Sequence, residues 1–181
     1  MNETTILLVR HGETDWNLER RVQGHSDRPL NETGLAQADA LVQELAGERI
    51  DAVYSSDLAR ALETARGVAA ARGLRVQPLA ELREKDFGTW EGRTDSEIRT
   101  RFPQALTGPW GDAETTEELS DRVLAALRRI AEAHPGGQVL VVTHGGALRA
   151  VLRYCEVVVG PVLNCHVARI AVRDGNLRSV D

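Results

Sequence analysis

Two short apolar runs constrain this chain more than any other feature: Ile6-Leu7-Leu8-Val9 and Val139-Leu140-Val141-Val142. Neither alternates with polar residues, so neither can offer one face to water. Such runs read as strands buried on both faces, as in the middle of a parallel sheet. The two also end alike, the first in Arg10-His11-Gly12 and the second in Thr143-His144-Gly145. Open α/β sheets bind ligands beyond the carboxyl ends of their strands. If the two strands are parallel neighbours, two histidines and one arginine converge there.

The rest of the pattern fits that frame. Ala52-Val53-Tyr54 and Arg75-Val76-Gln77 are weaker strands, and 166–172 alternates well enough for an edge strand turned at Asp174-Gly175-Asn176. Helical stripes lie between: Leu35, Ala38, Val42 and Leu45, stopped by Gly47; Leu58, Leu62, Ala65 and Ala69, stopped before Gly73; Leu119, Val123, Leu127 and Ile130, closed by Pro135-Gly136-Gly137; and residues 147–154. This alternation predicts an α/β fold, a three-layer α/β/α sandwich with a largely parallel central sheet, as one domain over 1–181. Two irregular stretches, 12–31 and 83–114, are long enough to be functional loops.

Composition excludes several classes. The formal net charge of −5 argues against nucleic acid as a partner. No run of about 20 apolar residues crosses a membrane, and the N-terminal residues carry no secretory signal pattern, so a cytoplasmic location is expected. Cys155 and Cys165 have no metal-ligand spacing and read as reduced, buried thiols. Lys85 is the only lysine among 22 basic residues. The arginine total therefore reflects residue usage, and only the position of particular arginines can speak for phosphate binding.

A neutral imidazole near pH 7 has a free lone pair and can act as a nucleophile. A phosphoryl group arriving on it carries negative charge that needs fixed positive partners. Arg10 is one candidate. Arg60 is another, near the start of the second helix and on the face opposite the Leu58/Leu62 stripe. The glycine after each histidine lets the backbone turn and bares amides to an anion. Metal chemistry has no tight ligand spacing among the five histidines; His25, His134 and His166 read as solvated or structural. Among Glu81, Glu84, Asp86 and Glu91, spacing alone selects no catalytic carboxylate.

Here the residues form a larger pattern. Leu8-Val9-Arg10-His11-Gly12-Glu13-Thr14-Asp15-Trp16-Asn17 resembles the signature of the histidine phosphatase superfamily, the phosphoglycerate mutase-like proteins. Four further blocks follow in family order: Gln23-Gly24-His25-Ser26-Asp27-Arg28-Pro29-Leu30 with Thr33-Gly34; Ser55-Ser56-Asp57-Leu58-Ala59-Arg60-Ala61 with Thr64-Ala65; Leu82-Arg83-Glu84-Lys85-Asp86-Phe87-Gly88-Thr89-Trp90-Glu91-Gly92; and Val142-Thr143-His144-Gly145-Gly146. Together they cover most of the chain from Ile6 to about Tyr154.

The resemblance implies roles. His11 is the nucleophile that becomes phosphohistidine. Arg10, Arg60 and His144 hold the phosphoryl oxygens, and Asn17 adds a neutral donor. Glu84 protonates the leaving oxygen and later activates water. Gln23 and Gly24 lie at the pocket mouth and touch substrate. No metal or other cofactor is implied. The partner is a small phosphomonoester, and a homodimer is open as the assembly. A short segment after Glu84 and Phe87-Gly88-Thr89-Trp90-Glu91-Gly92 resemble the phosphatase branch rather than the cofactor-dependent phosphoglycerate mutases. A mutase is the alternative, as is a phosphohistidine protein phosphatase with a shallow, open site. A degenerate binding module would have lost His11 or Glu84. Specificity is expected from residues around Gln23 and from 93–114. The sequence Asp112-Ala113-Glu114-Thr115-Thr116-Glu117 departs from the Gly-Gly-Glu-Ser-like helix start common in relatives.

Overall fold

A computed structural model describes residues 3–103, 108–158 and 160–180. The chain runs β1 (Thr4–Arg10), α1 (Asp15–Leu18), α2 (Glu32–Glu44), β2 (Ala52–Ser55), α3 (Ala59–Ala70), β3 (Val76–Pro78), α4 (Asp95–Arg101), α5 (Thr116–Ala133), β4 (Gln138–Thr143), α6 (Gly145–Tyr154), β5 (Val167–Arg173) and β6 (Asn176–Ser179). The strands form one sheet in the order β3-β2-β4-β1-β5-β6. The first four are mutually parallel, while β5 and β6 run antiparallel at one side. The two apolar runs are indeed neighbours, paired from Ile6↔Val139 to Arg10↔Thr143 on opposing positions.

Alternate side chains of the central strands serve two cores. Ile6, Leu8, Val139 and Val141 pack under α5 and α6 with Leu127, Leu148 and Val151. Leu7, Val9, Leu140 and Val142 pack under α2 and α3 with Leu41, Ala61, Ala65 and Val68. A sheet covered on both faces needs continuous apolar strands, which is why β1 and β4 show no alternation. The α/β/α layering expected from the element order is what forms. Among the described residues, no helix is long and apolar enough to cross a membrane.

Four local expectations need correction. The strand at 167–173 is not the edge; β6 pairs outside it, so β5 is covered on its outer side and its second half is buried. In α2 the inward face is Gly34, Ala38, Leu41 and Leu45, while Leu35 is 51% exposed. In α3 the inward face is Arg60, Ala61, Thr64, Ala65 and Val68. Arg60 therefore sits on the buried face and not opposite it, because the N-terminal end of that face opens onto a pocket rather than onto the apolar core. Cys155 and Cys165 are free but only half-buried.

The two irregular stretches contain more structure than their sequences suggest. The short α1 is closed by a capping box between Thr14 and Asn17. In 83–114, α4 carries Ile98 into a satellite core with Trp90, Phe87, Phe102, Trp110 and Val22, where Trp90 stacks on Phe102 and meets Trp110 edge-on. Residues 104–107 of the expected specificity stretch lie outside the described residues.

Candidate active site

The crevice arises where the chain changes direction. After β1 the chain leaves toward α2 on one face of the sheet; after the adjacent β4 it enters α6 on the other. Divergent loops on neighbouring parallel strands open a cleft at their carboxyl ends. The ladder continues one residue past β1, with His11 N–H donating to Thr143 O at 2.9 Å. His11 and His144 thus emerge at the same level, their rings edge-to-face with centroids 5.1 Å apart.

His11 Nδ1 lies 2.6 Å from Gly12 O. A carbonyl only accepts, so Nδ1 carries the proton and Nε2 keeps its lone pair. Burial, then the charges of Arg60 and Arg10, hold the His11 pKa well below the ordinary 6.5. The ring is 3% exposed. It is therefore neutral and nucleophilic at neutral pH.

Around it lies a set of buried donors. Arg60 spends Nη1 on Ser26 O (2.8 Å) and Nη2 on Gly24 O (2.7 Å), which fixes the plane of the guanidinium. Its Nε is buried without a protein partner, as are Arg10 Nε and both ring nitrogens of His144. Burial drives the Arg60 pKa down to about 10, so it stays a cation at neutral pH. Burial lowers Arg10 as well, and it depresses His144 well below the usual histidine value, with Arg60 next. Asn17 completes the pocket wall. Its Oδ1 accepts from Thr14 N and Thr14 Oγ1, leaving its amide hydrogens as the available donors. Buried polar atoms are rarely left unsatisfied. Several together, on two cations, point to an anion.

Glu84 borders the same pocket. Its Oε1 accepts from Lys85 N (2.9 Å) and its Oε2 from Gly146 N (2.8 Å). Any side chain on residue 146 would collide, since a Cβ there would lie 2.1 Å from Glu84 Oε1. The segment bearing Glu84 is tied down from outside the pocket. Arg122 on α5 donates to the carbonyls of Glu81, Arg83 and Glu84, at 3.0, 2.8 and 2.7 Å, while Glu114 grips it with two carboxylate oxygens. Glu114 also accepts from Asp86 N at 2.9 Å. Thr143 Oγ1 holds Leu82 O at 2.7 Å. His25, read as solvated or structural, donates through Nε2 to Glu84 O at 2.9 Å.

The expected residues His11, Glu84, Arg10, Asn17, Arg60, Gln23 and Gly24 all line one pocket, with His144 against His11. Gln23 and Gly24 are buried in its wall rather than exposed at its mouth, and Gln23 Oε1 has no donor. Gly24, at φ +52, is fixed by crowding: a Cβ there would fall 1.9 Å from Glu91 Oε1. The role expected for Gly12 also changes. Its N–H is taken by Thr64 Oγ1 at 3.0 Å, so it is not bared to an anion. Instead a Cβ on it would strike Gly34 O at 2.7 Å; the two glycines let α2 press against the His11 loop. Arg21, Val22, Phe87, Gly145 and Arg149 complete the lining. Sequence reading marked Gly145 but gave no role to the other four, and it missed the Arg122–Glu114 clamp, although Glu114 lies in the segment marked as atypical. Thr115 still caps α5, with Glu118 closing a capping box. Among the described residues no group of three or more His, Cys, Asp or Glu side chains could hold a metal.

Comparison with known proteins agrees with this geometry. The metal-independent phosphoserine phosphatase of Arabidopsis thaliana is 40% identical over 94% of this chain and 77% of its own length. Phosphoglycerate mutase-like protein 4 of the same plant is 42% identical over 80% of this chain and 68% of its own. Among solved structures, Bacillus stearothermophilus YhfR superposes with a TM-score of 0.89 at 33% identity, covering 98% of this chain and 95% of that one. A mycobacterial glucosyl-3-phosphoglycerate phosphatase complexed with VO3 gives a TM-score of 0.86 at 26% identity, covering 100% and 98%. The family model of the histidine phosphatase superfamily (branch 1) matches residues 6–175, and the chain belongs to that superfamily.

Proposed function

We propose that this chain is a metal-independent phosphatase that hydrolyses small phosphomonoesters through a phosphohistidine on His11. One observation carries the reading: His11 Nε2 keeps its lone pair beside buried, unpartnered nitrogens of Arg10, Arg60 and His144. In the first step the Nε2 lone pair attacks phosphorus, the ester P–O bond breaks, and protonated Glu84 gives its proton to the departing oxygen. Arg10, Arg60, His144 and Asn17 receive the equatorial oxygens, whose charge they neutralise without reorganising. In the second step Glu84, now a carboxylate, takes a proton from water as it attacks. The P–N bond breaks, phosphate leaves and His11 returns neutral.

The depth of His11 supports a small substrate over a phosphorylated protein, since Phe87 and Val22 of the satellite core wall one side of the pocket. The name of the phosphoserine phosphatase relative supports hydrolysis; that of the mutase-like relative favours the mutase as second reading. The two unpaired cysteines fit a cytoplasmic location. Sedimentation decides between a monomer and the homodimer. The direct test is an acid quench during turnover of labelled substrate in EDTA. An acid-labile, alkali-stable phosphoenzyme is expected, absent in His11→Ala. Full activity in His11→Ala, or activity abolished by EDTA and restored by Mg²⁺, overturns the proposal.

A further inference from the structure

Arg60 is held by a turn from another part of the chain. Residues 23–26 close on themselves, with Ser26 N donating to Gln23 O at 3.0 Å and Gly24 at φ +52. The carbonyls of Gly24 and Ser26 accept from Arg60 Nη2 and Nη1. The amides of the same turn are taken up by one side chain. Glu91 Oε1 accepts from His25 N at 2.8 Å, and Glu91 Oε2 accepts from Ser26 N at 2.8 Å and Ser26 Oγ at 2.6 Å. Phe87 N adds a longer bond to Oε1, at 3.3 Å. All four donors are neutral, and among the described residues no cation pairs with this carboxylate. Asp27, next after the turn, accepts from Ala59 N at 2.8 Å and ties the same loop to the start of α3, which carries Arg60.

This pattern decides what Arg60 can offer an anion. A guanidinium carries five N–H donors in one rigid plane. With Nη1 and Nη2 each on a backbone carbonyl, the plane is set by where those two carbonyls lie, and the buried Nε remains as a donor without a protein partner. The carbonyls in turn lie where the turn puts them. Glycine at position 24 leaves its backbone free to shift, and a cluster of amides without an acceptor would drive it to do so. Glu91 supplies the acceptor. We propose that Glu91 is a positioning residue for Arg60: by gathering the amides of His25 and Ser26 it holds the Gly24 and Ser26 carbonyls where they aim the Arg60 guanidinium at the phosphoryl group arriving on His11. Glu91 is not part of the pocket lining, so its effect on the chemistry passes through the turn. Its negative charge also favours the cationic form of Arg60.

This inference rests on the phosphatase reading, and the experiment separates the two. A double-mutant cycle between Glu91→Gln and Arg60→Ala is read in two ways. One is the rate of His11 phosphorylation by p-nitrophenyl phosphate in single turnover. The other is the Kd for vanadate, which binds without turnover. With Arg60 present, Glu91→Gln should slow phosphorylation and weaken vanadate binding by about 10- to 100-fold, the scale of a displaced contact at a reacting centre. In the Arg60→Ala background the same substitution should cost less than about 3-fold, because residues acting as one unit are not additive. A Glu91 that only stabilises the fold gives equal losses in the two backgrounds, and that result overturns the proposal. So does full activity in Glu91→Gln. Urea midpoints show which variants fold. Where Glu91→Gln does not, Ser26→Ala replaces it, removing one donor to Glu91 and no backbone; where Arg60→Ala does not, Arg60→Lys replaces it. The same non-additivity is then required, and equal effects in both backgrounds overturn the proposal again. If p-nitrophenyl phosphate is not turned over but vanadate binds, the phosphatase reading fails by itself and the vanadate cycle decides on Glu91. A wild-type protein that does neither overturns both.

Discussion

His11 and His144 face each other, buried in a cationic cleft, which fixes their protonation. For both, burial is the largest cause of the lowered pKa, with Arg60 next. A base whose pKa is depressed on folding is neutral in the folded state over a wider range of pH. His11 therefore stays nucleophilic below the ordinary 6.5. The unfolded chain binds more protons than the folded one once pH drops below that value. The stability contributed by the two neutral rings is thus complete above about 6.5 and is lost as pH falls toward their folded pKa values. Two measurements check this. Long-range proton–nitrogen spectra at pH 6 should show both rings neutral, with His11 protonated at Nδ1. The urea midpoint should fall between pH 7 and 5.5. An imidazolium spectrum for His11 at pH 6 contradicts it. The nucleophile was legible because its strand is uniformly apolar and ends abruptly in Arg10-His11-Gly12. Its tautomer was not, because that depends on a backbone carbonyl whose direction only the folded chain defines.

At the level of elements, β1, β4 and α5 were readable because their apolar positions face apolar partners. α2 and α3 were displaced by about one position around their axes. Pattern reading counts Leu35 and Leu62 as inward because they are apolar, and Arg60 as outward because it is charged. The fold reverses this, since the inner end of α3 faces a site built for an anion. The Arg122–Glu114 pair was equally invisible: eight residues apart across a helix start, its meaning lies in the carbonyls of Glu81, Arg83 and Glu84 that Arg122 gathers. This makes Arg122 a positioning residue for Glu84, and leaving-group chemistry exposes such a role. An alkyl alcohol needs a proton to depart, and a positioned acid contributes about 10²–10⁴-fold; p-nitrophenolate departs without one. In single-turnover phosphorylation, Glu84→Gln should lose far more on alkyl phosphates than on p-nitrophenyl phosphate. Arg122→Lys, which breaks the fork but keeps the charge, should show the same selectivity at smaller size, about 10-fold on the alkyl ester. A uniform loss on both substrates in Arg122→Lys would mean that the clamp is merely structural. A uniform loss in Glu84→Gln would move the acid elsewhere, first to Asp86 and then to Glu81.

Taken as a whole molecule, the layering follows from two strands that tolerate no water and from helices long enough to cover both faces. The antiparallel pair β5 and β6 was only half visible, since a turn at Asp174-Gly175 can end an edge strand or start another. The same architecture bears on which acceptor the phosphoryl group meets. A mutase must retain its phosphorylated product long enough to return the group to a second hydroxyl, which requires an enclosure around a doubly phosphorylated intermediate. Here the described part of 85–114 forms one seven-residue helix, α4, and a satellite core about Trp90. Val22 and Phe87 of that core also line the pocket. On the phosphatase reading water, rather than a second hydroxyl, takes the phosphoryl group from His11, and the alcohol leaves once its P–O bond breaks. Incubation with 3-phosphoglycerate and the bisphosphorylated glycerate should therefore release inorganic phosphate, with 2-phosphoglycerate forming slowly or not at all. Phosphate should be released at the rate at which phosphoenzyme turns over in single-turnover experiments. If 2-phosphoglycerate appears efficiently and its formation is stimulated by the bisphosphate, the phosphoryl group is being returned to the sugar acid, and the chain is a mutase built on the same site.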